Sequence, residues 1–259
     1  MNFSCCVDMM YPGLSLRDKI LATRSDSVGA IEFWRLFNKD LDRLRTTLDE
    51  TGTRAVLCNL DSRDENLSAA LMRGILSHRR TDDFVAAIHE SAPEMRKLGI
   101  KNAIVLAGDV DPGIGFPRAL ENIRETLRIG AKAAADEGIG LVLEPLNTYD
   151  RAPYVLPYSR DAFEIVREIN SSALKVLLDL YHTQRMEGNL IYTLEKEIDF
   201  IGHFHVANSP YRCEPDFGEI NYRAVFDAIE KSGYDGYVGF EYRQKNAGFS
   251  LGEWINGGK

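Results

Sequence analysis

Four residues of metal-binding type stand at or beside the ends of four consecutive short apolar runs. They are Glu144 in IGLVLE (139–144), Asp179 in LKVLLDL (174–180), His205 in FIGHFHV (200–206) and Glu241 in GYVGFE (236–241). The intervals are 35, 26 and 36 residues (179−144, 205−179, 241−205), each suited to one strand-plus-helix unit. Side chains alternate along a strand, so Val142 shares a face with Glu144, Leu177 with Asp179, His203 with His205 and Gly239 with Glu241. If the runs are parallel strands of one barrel, three carboxylates and an imidazole arrive together at its C-terminal mouth. Three ionised carboxylates in one place repel unless they are protonated or share a cation. An oxygen-rich set with one imidazole suits one divalent ion, Mn²⁺ or Mg²⁺ first, with Co²⁺ or Zn²⁺ as alternatives. An acidic residue at a strand end is, taken alone, more often a helix cap or a solvated group; the coincidence of four is what argues for a metal site.

The same loops supply further polar groups. His182 follows Asp179 by three residues in DLYHTQRMEGNL, and Arg212 follows His205 by seven in HVANSPYRCEP. His182 could bond a substrate oxygen or shuttle a proton, against the plainer alternative of a surface or supporting histidine. Arg212 could grip a carboxylate or hydroxyls through its planar fork, against a surface salt bridge to Glu214 or Asp216. His203, one layer deeper than His205, reads as a hydrogen-bonded core histidine beneath the ligand. Trp34, at the end of the second strand, could cap a substrate or pack against a helix. Glu32, Trp34, Asn59 and the segment 61–79 stand in the first four strand–loop regions and are expected to select the substrate.

Strands and helices that could position these groups alternate along the whole chain. Earlier strand candidates are residues 3–9, 28–34, 54–60 and 101–107. Apolar residues at intervals of three or four predict helices over 117–137 (Leu120, Ile123, Leu127, Ala131), 159–170 behind a cap at Ser159, and 221–232 (Val225, Phe226, Ile229). Eight strand–helix units in 259 residues give the size of a single-domain (β/α)8 TIM barrel spanning 1–259, with a doubly wound sheet as the runner-up. Residues 59–79 form an insertion too long for an ordinary strand-to-helix connection. The glycine-rich tail either docks through Trp254 or trails off.

Composition narrows the class. With 31 basic against 39 acidic residues the net charge is −8, which argues against a general nucleic-acid binder. Cys5, Cys6, Cys58 and Cys213 lack CxxC spacing and read as reduced, buried thiols. The start has no basic, then apolar, leader pattern, and no run approaches a membrane span of about 20 apolar residues. The expectation is a cytoplasmic protein acting on small molecules, away from nucleic acid and membrane, with a homo-oligomer left open.

LEPLN, DLYHTQRMEGNL, GHFHVANSPYRCEPDFGEINY and GYDGYVGFEYR together resemble the hydroxypyruvate isomerase branch of the xylose isomerase-like TIM barrels, whose neighbours include tagatose and psicose 3-epimerases. The resemblance is dense over 139–243 and thinner before, where RGILSHR resembles the loop after strand three. It implies a divalent metal held by Glu144, Asp179, His205 and Glu241, with Glu144 and Glu241 as acid and base across the substrate. It also implies that His182 and Arg212 contact substrate oxygens. The implied reaction interconverts α-hydroxycarbonyl compounds through an enediolate, the metal polarising the carbonyl while a glutamate moves the proton. Hydroxypyruvate to tartronate semialdehyde, or a related oxo-acid isomerisation, is the first expectation. A ketose 3-epimerase is the alternative, because His205 matches the epimerases where some hydroxypyruvate isomerase-like members have glutamine. An inosose-type dehydratase, an endonuclease IV-like nuclease and a metal-free binding protein are the rivals from other classes. The nuclease needs many more histidines than five.

Overall fold

Buried parallel strands need covering on both faces, and the chain supplies a helix after each. The computed structural model describes residues 1–257. Its eight strands are β1 (Asn2–Cys6), β2 (Ala30–Phe33), β3 (Arg54–Asn59), β4 (Asn102–Leu106), β5 (Gly140–Glu144), β6 (Leu174–Asp179), β7 (Ile201–Val206) and β8 (Tyr237–Phe240). They pair in parallel in sequence order, and β8 pairs with β1 to close the barrel. Closure removes the doubly wound alternative. Helices α1 (Leu16–Ser25), α2 (Leu41–Thr51), α3 (Glu65–Arg73), α4 (Thr81–Leu98) and α5 (Phe116–Asp136) belong to the first half. Helices α6 (Ser159–Ile169), α7 (Leu180–Met186), α8 (Leu190–Glu197), α9 (Tyr222–Lys231) and α10 (Leu251–Gly257) belong to the second.

The main core lies between strands and helices. In α5 the buried stripe is Ala119, Ile123, Leu127, Ala131 and Ala134, with Leu120 at its half-buried edge. Inside the barrel Leu57, Ile104, Leu106, Val142 and Leu177 form a separate apolar cluster under the C-terminal mouth. Bulky residues there leave the strand-end polar groups above as the place where ligands can be received.

The structure resolves one open alternative, the tail, and corrects one expectation, the Ser159 cap. The long insertion at 59–79 carries its own structure: Asp64 caps α3 by accepting from the Leu67 amide at 2.8 Å, and a short 3₁₀ turn follows at Leu76–His78. Such a carboxylate cap satisfies one of the free amides of the first turn, worth about 1 kcal/mol. Ser159 is the first residue of α6 rather than its cap; Tyr158 precedes it, and the Ser159 amide donates to Glu187 Oε1 at 2.5 Å. The tail docks: Trp254 in α10 packs against Phe226, Phe240 and Phe249, and the Gly252 amide donates to Asp26 Oδ1 at 3.2 Å. All four cysteines are free and buried. Burial pushes the Cys5, Cys6 and Cys58 thiols well up, which makes them poor nucleophiles.

Candidate active site

Glu144 and Asp179 are the last residues of β5 and β6, His205 lies one residue before the end of β7, and Glu241 follows β8 directly. One ligand atom from each of these four buried side chains lies within 4.8 Å of the others. The quartet expected from strand ends is thus brought together in the fold.

Local structure decides which atoms face inward. Asp179 also caps α7, and its Oδ1 accepts from the Tyr181 and His182 amides at 2.8 and 3.1 Å. Its Oδ2 is left buried without a hydrogen-bond partner, as are Glu144 Oε1 and His205 Nδ1. His205 Nδ1 stands 3.5 Å from Glu144 Oε1 and 3.3 Å from Glu241 Oε2. Buried polar atoms without partners carry a large desolvation penalty. A cation among them would satisfy all three, so the donor set of three carboxylate oxygens and one imidazole nitrogen fits a divalent metal.

The charges respond to this crowding. Burial pushes the Asp179 carboxyl up to about 7, with Arg212 and His205 opposing and Glu144 and Glu241 adding to the rise. Burial opposes the charged form of His205 too, but the Glu241 and Glu32 carboxylates outweigh it and hold the imidazole above its ordinary range. Burial would also raise Glu241; Arg212 and His205 overcome it and keep that carboxyl well below the usual range. Glu241 has both oxygens engaged, accepting from Trp34 Nε1 at 2.7 Å and Arg212 at 2.5 Å.

The satellites fall where sequence reasoning put them, with one change of emphasis. Arg212 faces inward and does not pair with Glu214 or Asp216; its guanidinium is 3.7 Å from Asp179 Oδ2. Glu214 instead accepts from the Lys245 and Asn246 amides, tying this loop to the segment after β8. Arg212 itself has φ 52°, a left-handed conformation uncommon for a residue other than glycine, and its carbonyl accepts from the Arg243 amide at 2.9 Å. Trp34 reaches the site through its indole N–H. His182 is buried, and its Nδ1 lies 3.1 Å from the Asn147 amide and 2.6 Å from Asn147 Nδ2. Two donors on Nδ1 leave the proton on Nε2, which has no partner and lies 3.6 Å from Asp179 Oδ2. Burial, then Arg212, push His182 well below its ordinary range, so it is neutral near pH 7. A neutral Nε2–H donor is suited to a substrate oxygen.

Two groups were missed or misplaced. Asn147, which fixes the His182 tautomer, has no pattern of its own in LEPLN. Glu32 is no substrate-selecting loop residue: it sits in β2, 2% exposed, and bonds His203 and His205 from beneath. A lone acid inside a four-residue buried strand was the available signal. His203 is the hydrogen-bonded core histidine expected. Asn59 closes β3, buried, with its Oδ1 unpartnered and its Nδ2 3.7 Å from Met72 Sδ.

Gly239 makes room for Glu32, because a Cβ there would lie 2.2 Å from Glu32 Oε1. Gly239→Ala is expected to destabilise the protein by about 1–3 kcal/mol through overpacking. Chemical unfolding checks this; wild-type stability would mean that Glu32 is free to move.

Residues 22–256 match the family described as xylose isomerase-like TIM barrel. The chain belongs to that family. It is 34% identical to the 2-oxo-tetronate isomerase of Cupriavidus necator, over 97% of this chain and 95% of the relative. It is 30% identical to the hydroxypyruvate isomerase of Escherichia coli, over 99% and 98%. These likenesses place it in the hydroxypyruvate isomerase-like branch of the xylose isomerase-like barrels. Among solved structures, one titled AP endonuclease, family 2 from Brucella melitensis superposes with a TM-score of 0.86 at 28% identity, covering 95% of this chain and 94% of that one. An L-ribulose 3-epimerase superposes at 0.76 with 18% identity, over 100% and 94%, which speaks to fold alone. The two remaining histidines of this xylose isomerase-like chain lie outside the site: His89 pairs with Glu137 on the surface and His78 bonds Ser77. They add no ligands of the kind a histidine-rich nuclease cluster requires.

Proposed function

We propose that this enzyme isomerises a small α-hydroxy-oxo acid of three or four carbons, using one divalent metal and a pair of glutamates. The convergence of Glu144 and Glu241 on one point, with Asp179 and His205 between them, carries the reading. The names of the two relatives, one a hydroxypyruvate isomerase and one a 2-oxo-tetronate isomerase, support the isomerase class and the oxo-acid substrate. Glu144, Asp179, His205 and Glu241 would hold the metal, Mn²⁺ or Mg²⁺ by its oxygen-rich donors. When bound, it would polarise the substrate carbonyl and stabilise negative charge developing on its oxygen.

The chain's own groups account for the proton. A carboxylate oxygen of one glutamate takes the proton from the hydroxyl-bearing carbon, giving an enediolate. A proton returns from the glutamate pair to the neighbouring carbon while the hydroxyl proton passes from the first oxygen to the second, which yields the isomer. Strands β5 and β8 are separated by β6 and β7, so the two glutamates approach a ligand from different sides. His182 Nε2–H donates to the oxygen on which charge builds. Trp34 and Arg212 hold Glu241 in its anionic form, and Arg212 has remaining N–H groups for a substrate carboxylate.

Arg212→Lys tests the carboxylate assignment. Loss of a charge-assisted bond worth about 1.5 kcal/mol or more should raise KM roughly tenfold. The effect should appear on hydroxypyruvate and 2-oxo-tetronate and be weaker on uncharged ketoses. Equal losses on acids and ketoses would remove the oxo-acid preference from Arg212. Assaying the wild-type enzyme on the same panel tests the function itself: turnover of ketoses by epimerisation, with the oxo-acids untouched, would replace it by the epimerase reading.

A further inference from the structure

We infer that Glu32 is a positioning residue that keeps the His205 proton on Nε2 and so reserves Nδ1 for the metal. This rests on the metal reading above. The Glu32 carboxylate offers one oxygen to each imidazole: Oε1 lies 2.8 Å from His203 Nε2, and Oε2 lies 2.8 Å from His205 Nε2. Ser4 Oγ–H donates to the same Oε1. We take Glu32 as an ionised carboxylate that accepts at all three contacts. An ionised carboxylate only accepts, so both Nε2 atoms carry hydrogen. The remaining nitrogen of His205, Nδ1, points at Glu144 and Glu241 and has no hydrogen-bond partner.

The arrangement is built rather than incidental. Glu32, His203 and His205 are each no more than 3% exposed, and the two rings meet edge-on with centroids 5.2 Å apart and planes at 86°. Gly239, with no Cβ, leaves the space that the carboxylate fills. Ser4, Glu32, His203 and Gly239 come from β1, β2, β7 and β8, so barrel closure itself fixes the acceptor under the ligand. The His205 ring is thereby held in orientation as well as in tautomer, as outer partners of ligating histidines do. Glu32, His203 and His205 also satisfy the geometry of a separate three-ligand group. A cation there would compete for the same Nε2 atoms and predicts two ions per chain instead of one.

Glu32→Gln is the decisive change, because it keeps shape and removes one acceptor. The amide oxygen is best placed at Oε1, where Ser4 and His203 donate, which turns the NH₂ toward His205 Nε2. Mn²⁺ affinity by calorimetry should fall about 10–100-fold. In ¹⁵N-histidine spectra of the Zn²⁺-loaded wild type, His205 should show a protonated Nε2 and a metal-bound Nδ1; the variant should lose this pattern. His203→Gln, whose side-chain amide can still donate to Oε1, should keep both the pattern and the affinity, and it serves as the control for general damage to the floor. Wild-type Mn²⁺ affinity in Glu32→Gln, a wild-type His205 ligating through Nε2, or two ions per chain would each overturn the inference. If the wild type binds no divalent ion, the metal reading fails. The His205 Nε2–H resonance in the metal-free protein then decides the tautomer alone: its presence upholds the Glu32 contact, and its absence removes it.

Discussion

Replacing Glu144 or Glu241 by glutamine is expected to lower turnover by about 10²–10⁴-fold, the usual contribution of a general acid or base. The two variants should differ in solvent exchange. At the residue that removes the proton, glutamine should stop deuterium uptake from D₂O altogether. At its partner, glutamine should leave exchange and block product. Glu241 is held by Trp34 and Arg212, whereas Glu144 Oε1 has no hydrogen-bond partner, so the two carboxylates are not equivalent before substrate arrives. Both variants must be shown to retain metal, since each also removes a charged ligand. If both bind metal and still isomerise and exchange like the wild type, the proton carriers lie elsewhere, and His182 becomes the first candidate.

Chelation is expected to abolish activity, and Mn²⁺, Mg²⁺ or Co²⁺ to restore it. The metal-free site has a definite proton cost. Burial raises Asp179 to about 7, and the carboxylates around His205 raise its imidazole above the ordinary range. Below about pH 7 a metal must displace the Asp179 proton, and the raised His205 adds a second, so affinity should increase as pH rises through 7 and binding should release protons. Linkage gives the matching sign for stability. A raised Asp179 means that the folded metal-free protein holds a proton the unfolded chain has lost above its ordinary value of 3.8. Its contribution is therefore lost as pH climbs from about 4 toward 7. The gap in thermal midpoint between metal-loaded and metal-free protein should widen over that range. Titration calorimetry in two buffers of different ionisation enthalpy measures the protons; affinity and midpoints independent of pH would contradict the charge assignment.

The barrel and the four polar side chains that converge at its mouth were legible because closed parallel strands are nearly all apolar, which makes a terminal Glu, Asp or His conspicuous. His203 and His205 share one face of β7, and depth along the strand separated them, with His203 one layer below the mouth. Less local features were not legible. Glu32 acts on residues 171, 173 and 207 positions away (203−32, 205−32, 239−32), at His203, His205 and Gly239, and its own stretch looked like the approach to a loop. Asn147 orients His182 from the neighbouring loop, a pairing that requires β5 and β6 to be placed first. The helix in 65–73 was hidden by the polar run DSRDEN (61–66) that leads into its first turn, although Asp64 at the cap and Leu67 and Leu71 on one face were present. Trp34 and Arg212 could be placed near the mouth from their strands, but their shared contact with Glu241 depends on barrel closure. Among the described residues no helix is long and apolar enough to cross a membrane.

The central claim is a proton transfer between adjacent carbons of a small oxo-acid, carried by the chain's paired glutamates. Its most direct test is NMR of metal-loaded enzyme in D₂O with hydroxypyruvate and 2-oxo-tetronate in turn. The account predicts conversion to the isomer with deuterium at the single carbon that receives the proton, and loss of that label in the glutamine variant of the base. An unlabelled substrate pool with no isomer formed, or deuterium returned to the original carbon of 2-oxo-tetronate with inverted configuration, would contradict it.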